Sequence, residues 1–176
     1  MLDGRSPLSK TRNFLGTPLA AGAAAALEIG TAPRNALMSG YCGKPLAKKL
    51  GIRAHARLFA SGAPDNYREL LAPLPAGVQS ARRIDARTDL IHLFATRAAP
   101  LARALTAARR AMRMDAVIWV SWPKKASGVA SDIGENEVRA LALPLGLVDV
   151  KVCAVDDTWS GLKLVLRKSE RRAVTR

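Results

Sequence analysis

The chain predicts an α/β protein with three layers. A mainly parallel sheet carries helices on both faces, organised as a reduced Rossmann-like domain, with a final strand pair that is antiparallel. Three observations carry that expectation. Residues 88–96 (TDLIHLFAT) and 115–122 (DAVIWVSW) are short, nearly continuous apolar runs, as expected of strands buried on both faces. Between them lies an amphipathic helical repeat, with Leu101, Leu105, Ala108 and Met112 on one face and Arg103 and Arg110 opposite. Near the end, VDVKVCAVD and SGLKLVLRK are two strand-like runs joined through a tight connection at 158–161, the signature of an antiparallel pair.

The other elements follow in chain order. Residues 1–37 open with Arg5, Lys10 and Arg12, then an apolar stretch over 14–27. That order resembles a signal peptide, but Gly16 and Pro18 interrupt the run, and it is too short to span a bilayer. The plainer expectation is a disordered extension, with the folded domain beginning at Met38, running to 168, and followed by a basic tail over 169–176. GKPLAKKLG predicts one or two helical turns, with Pro45 at the first helical position and Gly51 at the stop. ARLFASGAP predicts a strand and a turn, and Asp65 is placed to cap a helix with Tyr67, Leu70 and Leu71 inward. Pro73 and Pro75 end that helix. VQSARR, from Val78, is a weak strand. ENEVRALALPLGL is a helix with Val138, Leu141, Ala142 and Leu145 inward, closed by Pro144 and Gly146.

Charge bounds the partners. Lys and Arg total 28 against 14 Asp and Glu, a net charge of +14. That imbalance suits nucleic acid, anionic lipid or acidic partners. A background bias toward arginine explains it equally well, because the arginines are scattered rather than blocked. The two cysteines, Cys42 and Cys153, have no zinc-ligand spacing and read as free thiols in a reducing cytosol, so the expected location is cytoplasmic. His92 lies inside an apolar run and reads as a core residue.

The candidate site is the loop after the second apolar strand. Ligands of open parallel sheets bind beyond the carboxyl ends of the strands. There the chain reads WPKKASG. Trp122 could stack on a ring, Lys124 and Lys125 could meet an anion, and Ser127 and Gly128 could offer backbone N–H groups. The second tryptophan–lysine cluster, Trp159 with Lys163, is expected to share that rim through neighbouring strands. Alternation in IWVSW puts Trp119 and Ser121 on one face and Val120 and Trp122 on the other, so both tryptophans also fit a purely structural role. Asp156 and Asp157 read as turn-capping residues rather than an acid–base pair. Ser121, Ser127 and Ser160 have no histidine or acid at any known nucleophile spacing, so no hydrolase is expected.

The strings SGYCGKPLAKKLGI, WPKKASGVASD and LALPLGLVDVKVCAVDDTWSGLKLV resemble a bacterial family of small proteins of unknown function, over roughly residues 38–167. The resemblance implies a helix-capping threonine where Gly134 stands and implies no activity. The order of elements also resembles the latter part of a Rossmann-like methyltransferase domain, which speaks to fold alone. Such a domain needs a glycine-rich turn after its first strand and an acid at the end of its second. Here the turn is ASGAPDN, with Gly62 only, and the second strand ends in ARRIDAR, where Arg82 and Arg83 leave Asp85 as the one acidic candidate. No phosphate-loop pattern is present, since Pro45 follows the lysine of GYCGKP. The expectation is a non-catalytic binder of an anionic small molecule or acidic partner, with no cofactor, no metal and no membrane. An atypical methyltransferase-like enzyme with a remodelled cofactor site is the first alternative. A nucleic-acid-binding protein, supported by charge alone, is the second.

Overall fold

A computed structural model of the chain describes residues 43–172. The expectations for residues 1–37, Met38, Cys42 and 173–176 lie outside the described residues. Six strands form one sheet: β1 (Arg57–Ser61), β2 (Gln79–Ser80), β3 (Leu90–Phe94), β4 (Val117–Pro123), β5 (Leu147–Ala154) and β6 (Trp159–Leu166). Their order is β2-β1-β3-β4-β6-β5. The pairs β1/β2, β1/β3 and β3/β4 are parallel, and β6 runs antiparallel to both β4 and β5. The Rossmann-like α/β class and the antiparallel closing pair are as the sequence predicts.

Two helices cover one face. α3 (Ala98–Ala111) buries Leu101, Leu105 and Ala108, and α4 (Glu135–Ala142) buries Val138 and Ala142. They pack on Ile91, Leu93, Ile118, Val120, Trp122, Leu162 and Leu164, the alternate residues of β3, β4 and β6. Leu141 and Leu145 are only partly buried, because the chain tightens to a 3₁₀ turn at Leu143–Leu145. Gly134 does stand at the α4 N-cap, with no side-chain cap bond.

The other face is covered by short pieces. α1 (Leu46–Leu50) and α2 (Tyr67–Leu70) pack on Leu58, Leu90, Phe94 and Trp119. Trp119 Nε1 donates to the Leu50 carbonyl at 3.0 Å, so the indole closes the open end of α1. Three local expectations need correction. Pro45 is the N-cap of α1, not its first helical residue. α2 starts on Asn66 with no side-chain cap, so Asp65 does not cap it. The turn between β5 and β6 is residues 155–158, and Trp159 and Ser160 already pair with β4. β2 is two residues long, which leaves it a minimal sheet edge. Residues 168–172 continue as α5 (Lys168–Arg172), whose Glu170 lies 3.7 Å from Arg109. Among the described residues no helix is long and apolar enough to cross a membrane, and no cluster of three or more His, Cys, Asp or Glu could hold a metal.

Candidate functional site beyond the strand ends

The carboxyl ends of β1, β3 and β4 meet the loops 62–66, 95–97 and 124–134. Gly62 turns the chain after β1 at φ +68, and a Cβ there would lie 2.5 Å from the Phe94 carbonyl oxygen. The turn after β1 therefore crosses the end of β3 so closely that only glycine fits.

Beyond β4 lies a cavity of about 570 Å³ whose lining includes Lys124, Lys125, Asp132, Glu135, Glu137 and Arg139. Four of these charges, Asp132, Glu135, Arg139 and Lys124, are engaged. Asp132 Oδ1 accepts the Ala98 N–H at 2.7 Å, which occupies the first turn of α3. Arg139 is gripped by Asp149 at 3.0 Å and Glu135 at 2.5 Å, and the Asp149 hydrogen bond above all holds its guanidinium more basic than usual. Lys124 Nζ donates to the Asp156 carbonyl at 2.6 Å, and its N–H donates to the Thr158 carbonyl at 2.7 Å. That lysine pins the β4 exit to the β5–β6 turn. Lys125 is exposed. Ser127 Oγ donates to the Lys124 carbonyl at 2.7 Å and holds a single 3₁₀ turn that ends at Gly128, φ +72. Asp156 Oδ1 accepts the N–H groups of Thr158 (2.8 Å) and Trp159 (2.6 Å), the turn-capping role expected of it.

The sequence-predicted residues divide. Pro123 pairs with Trp159 and Trp122 with Ser160, so the two tryptophan-bearing strands are neighbours. Trp122, however, is 7% exposed and belongs to the core under α3 and α4. Trp159 lies on the opposite face, edge-on to Phe94 at 5.1 Å between ring centroids. Lys163 is four residues further along β6, about 13 Å away at strand rise, opposite Trp119. It lines a different cavity, at the other end of β4. Lys124, Lys125, Ser127 and Gly128 stay together beyond β4; Trp159 and Lys163 do not join them.

A nucleotide-type cofactor at the turn after β1 does not fit these residues. The helix that follows, α2, has four residues and no N-terminus to present. Asp85 lies at the wrong end of the sheet. It stands 3.6 Å from Arg57, the first residue of β1, and its Oδ1 accepts the Arg87 N–H at 2.8 Å. That backbone bond, then the neighbouring guanidinium groups, holds its carboxyl below the usual range. The space beside β3 that a cofactor would need is a crevice of about 290 Å³ lined by Ser61, Phe94, Thr96, Arg97 and Leu101 among others.

Sequence reasoning missed a buried polar chain. The Tyr67 hydroxyl lies 2.5 Å from His92 Nδ1, and Ser121 Oγ lies 2.7 Å from His92 Nε2. His92 and Ser121 are fully buried and Tyr67 nearly so. Ser121 thus has a histidine beside it, brought there by strand pairing rather than by any nucleophile spacing in the sequence. Burial pushes the imidazole down to about 3 and pushes the Tyr67 phenol up. The ring is therefore neutral and donates from one nitrogen while accepting at the other. Among the described residues no carboxylate bonds to His92 or Ser121, and Ser121 is fully buried, so the pair reads as part of a core network rather than a nucleophile. The one available signal was His92 itself, since a histidine at the centre of an apolar strand requires partners.

No family model matches the chain, and no curated protein does. The resemblance to a small bacterial family therefore finds no support there. Solved structures do match. One, described as a possible exported protein from Bordetella parapertussis, is 10% identical with a TM-score of 0.50, over 69% of this chain and 66% of that one. Precorrin-6y C5,15-methyltransferase from Geobacter metallireducens GS-15 is 10% identical with a TM-score of 0.45, over 69% and 84%. LepI in complex with SAM is 14% identical with a TM-score of 0.44, and the chain spans 47% of its length. At these identities the likeness is one of fold.

Proposed function

We propose that this chain is a small-molecule-binding domain on a methyltransferase-like Rossmann sheet, and that it holds an anionic ligand beyond β4 rather than a nucleotide cofactor beyond β1. The observation that carries this reading is the placement of charge. The acid expected for ribose, Asp85, is ion-paired near the start of β1, while the cavity of about 570 Å³ beyond β4 sets Lys124, Lys125 and Arg139 against Asp132, Glu135 and Glu137, and Lys125 is its one cation with no hydrogen bond or ion pair among the described residues. That volume suits a small ligand. In this reading the domain binds without catalysing a reaction, and the Tyr67–His92–Ser121 set, buried among the described residues, serves the core.

A second reading is a methyltransferase-like enzyme with a remodelled site. The forced Gly62 turn across the end of β3 favours it, because a first-strand turn in that position is what brings a cofactor close to the backbone. Calorimetric titration separates the two. S-adenosylmethionine and S-adenosylhomocysteine are expected to bind weakly or not at all, and a di- or tricarboxylate such as citrate is expected to bind in a manner lost on Lys125→Ala. Micromolar binding of S-adenosylmethionine would move the enzyme reading to first place. Binding of oligonucleotides that weakens steeply with salt would favour the nucleic-acid alternative.

A further inference from the structure

The amino-end edge of the sheet carries a second, separate concentration of positive charge. Between α1 and the starts of β3 and β4 lies a cavity of about 440 Å³. Its lining holds four cationic side chains, Lys48, Arg53, Arg113 and Lys163, against two acids, Asp89 and Asp115. Both acids are spoken for. Arg113 contacts Asp89 at 2.9 Å and Asp115 at 2.7 Å, and Asp89 Oδ2 also accepts the Arg57 N–H at 2.7 Å. Arg113 is thereby consumed, and Lys48, Arg53 and Lys163 make no ion pair among the described residues.

Two features mark this end of the sheet as costly to build. Lys163, half-buried, stands directly opposite Lys151 in the β5/β6 register. Like charges facing each other across a strand pair are destabilising, and among the described residues Lys151 Nζ donates to a carbonyl, that of Lys49 at 3.4 Å, rather than to an acid. His55, on the cavity wall, adopts φ +61, a left-handed conformation that costs a non-glycine residue stability and clusters at functional sites. Its N–H donates to the Ala76 carbonyl at 2.8 Å, and its ring lies so close over Gly77 that any Cβ there would overlap it. The wall carrying Arg53 and His55 is thus fixed in place. Ile52 and Leu90, both buried, give the cavity an apolar floor.

We propose that this cavity is a ligand site for a phosphorylated small molecule, its phosphate held by Lys48, Arg53 and Lys163 and its less polar part resting on Ile52 and Leu90. A phosphate dianion matches the excess of two positive charges and supplies the acceptors that three unpaired cations lack. The site is separate from the cavity beyond β4.

Inorganic pyrophosphate is the probe, titrated calorimetrically into the full chain at low salt. Binding is expected, and Lys163→Ala and Arg53→Ala are each expected to weaken it about tenfold. Arg103→Ala, on the exposed side of α3, is expected to leave it unchanged. Thermal melts without the probe check that each variant is folded; Lys163→Ala removes one of two lysines that face each other in the β5/β6 register and is expected to melt no lower than the parent. Absence of pyrophosphate binding overturns the proposal. Binding that survives Lys163→Ala and Arg53→Ala but falls on Lys125→Ala places the anion beyond β4 and also overturns it. A single-stranded oligonucleotide that binds where pyrophosphate does not assigns the cations to a nucleic-acid surface instead.

Discussion

The two faces of the sheet are built on different principles. Under α3 and α4 the core is aliphatic, filled by Leu, Ile, Val and Ala in helical and strand periods, with Trp122 and Met112 at its margin. Among the described residues the cover of the other face is α1 and α2, helices of five and four residues, and the core beneath adds to Leu46, Leu50, Leu58 and Leu71 the aromatic and polar side chains of Trp119, Tyr67, His92, Phe94 and Trp159. Tyr67, His92 and Phe94 are in mutual ring contact at centroid separations of 4.2 to 5.2 Å. With only short helices covering it among the described residues, this face is tied by large side chains that reach across to them and by internal hydrogen bonds. Such a face should be strong at each anchor and unforgiving of change.

The sharpest way to break that comparison is at the largest anchor. Trp119→Ala is expected to cost about 3–5 kcal/mol, from the cavity it leaves and the lost bond to the Leu50 carbonyl. Leu105→Ala, fully buried in the regular face, is expected to cost about 2–5 kcal/mol. Urea denaturation of both variants checks the pair. A loss under about 1 kcal/mol for Trp119→Ala would mean that the short-helix face is loosely packed and that α1 is not held by the indole.

The same contrast explains what the sequence made legible. β3, β4 and α3 declare themselves because a run of five buried residues or a repeat of 101, 105, 108 and 112 contains its own period. The alternation that separates Trp119 and Ser121 from Val120 and Trp122 follows from strand geometry, and the structure has it. The opposite face is assembled from pieces too short to show a period. The partners of His92 come from 25 and 29 residues away, so no local pattern announces them. The grouping of Lys163 with Lys124 assumed that neighbouring strands share one rim. Neighbours share an edge only at matching register positions, and Lys163 matches Trp119, not Pro123. The sequence places Asp85 at the end of the second strand, whereas the strand stops at Ser80 and the chain brings Asp85 to Arg57.

A second test sharpens the comparison through pH. Burial pushes the His92 imidazole down to about 3 from its ordinary value of 6.5. Between those values the unfolded state binds a proton that the native state refuses, so stability is full above about pH 6.5 and falls as pH drops toward 3. The loss is expected to reach a few kcal/mol, and it belongs to the polar face alone. Urea midpoints at pH 7 and pH 4.5 measure it. His92→Gln is expected to be less stable than the parent at pH 7 yet to lose less on acidification. An equal loss in the variant would assign the pH dependence to carboxylates elsewhere.

Gly62 tests where the two faces meet the strand ends. Gly62→Ala demands a left-handed residue and pushes a methyl group into the Phe94 carbonyl. The expected cost is about 1–3 kcal/mol, read as a lower melting temperature with the β3 end displaced. A neutral result would show that the turn after β1 can lift away from β3. The crevice there would then be open to reshaping by a ligand, which would strengthen the enzyme reading.

The smallest expected effects separate the two lysines beyond β4. Lys124 is half-buried and its ammonium donates to the Asp156 carbonyl, so it ties β4 to the β5–β6 turn whatever else it binds. Lys124→Ala is expected to cost about 1 kcal/mol, the usual net worth of one hydrogen bond, with more lost if the carbonyl is left dry. Lys125 is exposed and makes no bond among the described residues, so Lys125→Ala is expected to stay within about 0.5 kcal/mol of the parent. Only Lys125 can therefore report on ligand binding without a stability change beneath it. Citrate affinity that falls on Lys125→Ala at unchanged melting temperature would tie function to this edge of the sheet. Affinity that falls only on Lys124→Ala, in step with stability, would reduce the lysine pair to a structural strap.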